Sequence, residues 1–229
     1  DEDIALVELI GPAAMAVLAT TVAAPLTLAP GRATPLDIAG NPVRATPIRA
    51  GGGEGSPGGD ALDGVAVVMA RAGLGAVVPL WLAAGAQIGC HAAVDALEVV
   101  AGTADLDVDL PEGTTPWEAG MAASVALDKG CYLGQEALAM QVWRGQLRRH
   151  LCWVQPIGDA LPETGALLRD AAGKRAGWAG RGVVFADGSR LGLATVSRKF
   201  ALADMALQTE GGAAQLRVIG TTRPGVWTA

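Results

Sequence analysis

Lys129-Gly130-Cys131-Tyr132-Leu133-Gly134-Gln135-Glu136 sets a cysteine between glycines, with a cation two residues before it and a helix start just after it. It also holds the only tyrosine of the chain. Backbone N–H groups at a helix start have no partner within the helix and carry the positive end of its dipole. With Lys129 close by, they favour the thiolate form of Cys131. Gly130 and Gly134 accept backbone angles that other residues resist, so a partner can approach the main chain. The competing reading makes Cys131 a small buried apolar residue, the usual place for a free cysteine.

Outward from this stretch, Pro116-Trp117-Glu118-Ala119-Gly120 lies upstream and Arg144-Gly145 downstream. Together these segments resemble the signature of the YgfZ/GcvT-like folate-binding family, which is related to the aminomethyltransferase (T-protein) of the glycine cleavage system. The resemblance implies a ferredoxin-like α/β body followed by a small C-terminal antiparallel β-barrel, an α+β fold. It implies Cys131 and Lys129 as the reacting pair. It also implies tetrahydrofolate or a derivative as ligand, held by Tyr132, Gly134, Gln135, Glu136, Trp117, Glu118 and Arg144. No metal site is implied.

Other positions carry the same likeness. Gly11-Pro12-Ala13 resembles a strand-to-helix corner of the family, and Ile38 to Val43 one of its hairpins. Asp95 to Gly102 resembles a family helix, but Glu98 stands where the transferases have an arginine that supports the folate. Met140 replaces a basic residue found in many relatives. Asp1 falls where the first half of the family fold has ended, which leaves a shortened member or a piece of a longer chain.

The residues themselves point to the same class of fold. Of the 229 residues, 51% are apolar and 17% charged, enough to build a core and too apolar for disorder. The net charge of −6 argues against broad binding to phosphate backbones, and Arg148, Arg149 and His150 near Arg144 read as a solvated surface. Cys90, Cys131 and Cys152 are odd in number and lack metal-ligand spacing, consistent with reduced thiols in the cytoplasm. No signal peptide opens the chain, and the apolar stretch 72–88 is too short and too rich in glycine to span a membrane.

Ile4 to Ile10 reads as a strand, and Pro12 to Thr20 as a helix with Met15 and Leu18 inward. Gly40-Asn41 reads as the turn of a hairpin. The segment 50–64 reads as a flexible glycine-rich loop, and residues 65–69 as a buried strand. A helix is expected within 72–86, begun or kinked by Pro79, and another over 92–100, closed by Gly102. Alternation puts Asp105, Asp107 and Asp109 on one face of an extended segment, as a solvated edge or a site for a hard cation. Glu136 to Val142 forms a short helix. From Leu147 onward, short apolar runs between glycine turns predict the barrel. The domains are therefore 1–145 and 146–229.

Three functions follow. The first is an accessory protein for iron–sulfur cluster assembly or repair, acting through Cys131 on client or assembly proteins that include tRNA-modification enzymes. The second is a tetrahydrofolate-dependent aminomethyltransferase, whose carboxylate would come from Glu54, Asp60 or Asp63. The third is a scaffold that retains the shape alone.

Overall fold

The computed structural model describes residues 3–50, 62–145 and 147–222. Contacts divide these into two compact units, 3–50 with 62–90, and 91–222.

The first unit is a four-stranded antiparallel sheet in the order β1-β4-β3-β2, formed by β1 (Ile4–Ile10), β2 (Thr34–Ile38), β3 (Asn41–Ala50) and β4 (Leu62–Ala70). Side chains alternate across a strand, so one face of β4 carries Val65, Val67 and Met69, all buried, while Val68 between them is exposed. Helices α1 (Ala14–Ala19) and α2 (Leu74–Ala83) supply Val17, Leu18, Val77 and Trp81 to the same core. Burying a large aliphatic or aromatic side chain contributes about 1.5–3 kcal/mol, so this shared face holds the unit together.

Three details differ from the sequence reading. The six residues of α1 turn Ala14, Val17 and Leu18 inward and leave Met15 exposed, because positions three and four apart share a helix face. The β2–β3 turn lies one residue earlier than Gly40-Asn41. Ile38 pairs with Asn41, and Ala39 and Gly40 both take positive φ, as a two-residue hairpin turn requires. Asp37 Oδ1 accepts from the Gly40 N–H at 2.8 Å, and the Asn41 amide donates back to Ile38 O at 3.2 Å. Pro79 sits inside α2, neither starting nor ending it. Residues 51–61 of the glycine-rich segment lie outside the described residues, and 62–64 already belong to β4.

The second unit begins with α3 (His91–Ala101), closed by Gly102 at φ +67°. Turns then lead to α4 (Gln135–Arg144), and six strands follow: β5 (Arg149–Ile157), β6 (Leu167–Arg169), β7 (Arg175–Val184), β8 (Arg190–Ser197), β9 (Ala206–Thr209) and β10 (Gln215–Thr221). They close an antiparallel barrel in the order β10-β5-β8-β7-β6-β9, so the α+β class and the barrel after it are both present. Cys152, Val154, Leu168, Ala194, Val196, Leu216 and Val218 fill the interior. Glycine-bearing turns do the connecting: Asp170 to Gly173 joins β6 to β7, Asp187-Gly188 joins β7 to β8, and Gly211-Gly212 joins β9 to β10.

Outside the barrel a smaller apolar layer, Leu151, Trp153, Leu191 and Leu193, packs with Val99 of α3, and Trp153 Nε1 donates to Val99 O at 2.9 Å. Gly102 is required here twice over. Its φ is positive, and a Cβ on it would lie 2.7–2.8 Å from Thr222 and Trp153. No helix among the described residues is long and apolar enough to cross a membrane.

Candidate functional site

The signature loop is built by Gln135, the first residue of α4. Its side-chain Oε1 accepts from the Tyr132 N–H at 3.3 Å, and its Nε2 donates to Leu127 O at 3.2 Å. Gly134 precedes the helix at φ +86°, an angle that a residue with a Cβ adopts at a cost. Glu136 lies exposed in the first turn, where the helix dipole favours a carboxylate. The Lys129 ammonium rests 4.7 Å from the centre of the Tyr132 ring, a cation–π contact. Cys131 and Leu133 are exposed. The structure thus sets Lys129, Cys131, Tyr132 and Gly134 on one loop and Gln135 and Glu136 in the helix turn that follows it, with the thiol open to solvent.

Trp117 and Glu118 lie behind this loop, buried in the protein's own hydrogen bonds. Trp117 Nε1 donates to Leu138 O, inside α4, at 3.0 Å. Glu118 Oε2 accepts from Arg149 at 3.0 Å and from the Thr115 N–H at 3.2 Å, while Glu118 O accepts from the Leu151 N–H at 3.1 Å. These bonds clip the 115–118 segment to β5 and to α4. The cavity beside them, lined also by His150 and Thr222, measures about 10 Å³, room for one water and far short of a pterin. Arg144 ends α4, and its side chain lies outside the described residues.

Two polar side-chain atoms, one on the loop and one on α4, lack partners. Tyr132 Oη and Gln141 Oε1 are buried without a hydrogen-bond partner. Buried polar atoms are rarely left so.

The acidic run adopts turns over 106–109 instead of an extended edge, which corrects the sequence reading. Asp109 is buried at 2% exposure, neither a solvated edge nor a cation ligand. Its Oδ1 accepts from the Arg181 backbone N–H at 2.6 Å, and its Oδ2 from Arg181 Nε at 2.9 Å and the Asp105 N–H at 2.8 Å. Arg181 Nη2 lies 2.9 Å from the same Oδ2 as an ion pair without hydrogen-bond alignment. Arg181 Nη1 donates to Asp95 at 2.6 Å and to Glu98 at 2.7 Å. Burial opposes the charge on this guanidinium, but the hydrogen bonds to Asp109, Glu98 and Asp95 prevail and hold its pKa above the ordinary value. The register of β7 against β8 shifts between Ala179 and Gly182, and Asp109 satisfies the N–H released by that bulge. The sequence signal was Gly180-Arg181-Gly182 within a strand, since glycine in a strand marks a bulge.

No protein-family model matches the chain. Over 95 residues it is 37% identical to an aminomethyltransferase of Caldanaerobacter subterraneus subsp. tengcongensis, an alignment covering 38% of this chain and 25% of that protein. Its fold matches the crystal structure of the glycine cleavage system aminomethyltransferase T from Bartonella henselae with a TM-score of 0.75 at 21% identity, covering 95% of this chain and 58% of that one. The chain therefore spans less than two thirds of the length of either protein. At this identity the structural likeness establishes the fold, which is aminomethyltransferase-like.

Proposed function

We propose that the chain acts as a folate-binding accessory protein in iron–sulfur cluster assembly or repair, with Cys131 as its reacting group. The observation that carries this reading is the exposed thiol of Cys131 on a loop that Gln135 holds in shape. An open thiol on a fixed loop can take sulfane sulfur from a persulfide donor that leaves as its thiolate, ligate a cluster iron, or exchange with a partner's existing disulfide. Lys129, parked on the Tyr132 ring, lends positive charge to the loop. Tetrahydrofolate would lie against Tyr132 and Gln141, whose unsatisfied oxygens support that placement, and it would supply the one-carbon chemistry of a bound pterin. Clients would be iron–sulfur proteins, tRNA-modification enzymes among them. Three free thiols, two of them exposed, suit the reducing cytoplasm.

The test is a calorimetric titration with tetrahydrofolate, repeated on Tyr132→Phe and Gln141→Leu, together with a cluster-transfer assay on Cys131→Ser. Binding that weakens in the first two variants, and transfer lost in the third, are the expected results. Transfer that proceeds unchanged without the thiol would remove Cys131 from the chemistry.

A second reading, aminomethyl transfer, is favoured by the names of the proteins that the chain resembles. It needs a carboxylate set against the substrate nitrogen. Asp63 is exposed on β4, and Glu54 and Asp60 lie outside the described residues. Folate-dependent turnover that survives Cys131→Ser would favour the transferase over the accessory role.

A further inference from the structure

The outer wall of the barrel is only partly covered. On β5, Leu151 and Trp153 face outward beneath α3, and the two-residue period carries the same face on to Gln155. Gln155 pairs with Arg217 of β10. Where the cover ends, at Val100, the wall continues as one side of a cavity of about 560 Å³, bounded also by Phe185, Arg190, Leu191 and Ile219. That volume lies within the range of small-molecule sites.

Its charged lining is two guanidiniums, Arg190 and Arg217, against one carboxylate, Asp204, and the guanidiniums are incompletely used. Arg190 Nε is buried without a hydrogen-bond partner, while Nη1 donates to Gly188 O at 3.1 Å. Arg190 Nη2 meets Asp159 at 3.1 Å, and Arg217 Nε meets Asp204 at 3.9 Å, but those carboxylates are 96% and 85% exposed. Ion pairs of that kind are weak and readily exchanged. Arg217 Nη2 donates to Gln155 at 2.6 Å, which steadies the guanidinium. A planar guanidinium presents its donors in the spacing of a carboxylate or phosphate.

We propose that this cavity binds a small amphiphilic oxyanion, a carboxylate or phosphate ester on a flat apolar body. Arg190 and Arg217 take the oxygens, and Phe185, Leu191 and Ile219 take the ring. None of these residues belongs to the signature loop, so the site is separate from the folate reading.

The experiment is nuclear magnetic resonance of the ¹⁵N-labelled full chain, titrated with benzoate, phenyl phosphate and, as the uncharged control, benzamide. The expected result is saturable shifts at the amides of Ser189, Leu191 and Ile219 with at least one anion, and benzamide at least about tenfold weaker. Whichever anion binds more tightly identifies carboxylate or phosphate as the head group. Arg190→Gln and Arg217→Gln should each weaken the anion by about tenfold or more. Arg217 is half exposed, so its variant keeps the test alive if Arg190→Gln fails to fold. Absence of saturable shifts for both anions up to about 10 mM, equal response to benzamide, or no effect of Arg217→Gln overturns the proposal. Tetrahydrofolate is read at the Tyr132 amide on the same samples, so the folate reading succeeds or fails independently.

Discussion

Glu98 on α3 and Arg181 on β7 are joined by a 2.7 Å hydrogen bond, Oε2 accepting from Nη1. The acid at 98, a departure from the arginine of the family it resembles, thus has a partner of opposite charge within the chain. The same guanidinium neutralises Asp109, whose side chain has no exposure to solvent. Arg181→Met would strand that carboxylate, at an expected cost of about 3–5 kcal/mol in urea unfolding. Arg181→Met combined with Asp109→Leu should recover most of the loss, and a double variant no better than the single would contradict the account. Glu98→Arg sets two guanidiniums together and should destabilise.

The three cysteines should separate by reactivity. Cys152 is buried in the barrel, and burial pushes its thiol up to about 12, whereas Cys90 and Cys131 are exposed. A thiol reagent near pH 8 should modify two cysteines in the native protein and the third only on unfolding. Fast modification of Cys152 without unfolding would show the barrel to be open.

His150 carries a pH dependence. Burial, helped by the Arg198 charge and opposed by Glu118, holds its pKa below the ordinary 6.5. The folded chain then keeps the imidazole neutral where the unfolded chain takes up a proton. Stability is full above about pH 6.5 and falls as pH drops below it. Denaturant midpoints at about pH 5 and pH 7.5 should differ less in His150→Gln than in the parent. An identical difference in both would assign the pH dependence to other groups.

Trp117 should act through α4. Trp117→Phe keeps the aromatic packing and removes the 3.0 Å bond to Leu138 O, at a cost of about 1 kcal/mol. Hydrogen exchange should quicken in 135–144 and stay unchanged in the barrel strands. Uniform quickening throughout would mean that the bond serves global stability alone.

Local pattern was enough for the four longer strands of the barrel, β5, β7, β8 and β10, and for most of the elements before it, but not for the short β6 and β9. β1 and α3 fall within a residue of the bounds read from the chain, because alternation, helical spacing and glycine stops act over neighbours only. The hairpin at Ala39-Gly40 was misread by one position, since pairing of Ile38 with Asn41 chose the turn.

What the chain by itself determined was the class of fold and the loop that carries Cys131. What tertiary structure alone decided was which of the candidate side chains meet solvent and which are consumed in holding the fold. Trp117 and Glu118 became supports, Cys131 stayed open, and Asp109 went inside. The physical reason is distance along the chain. Asp109 finds Arg181 across 72 residues, and a carboxylate enters a core only when such a partner is waiting for it.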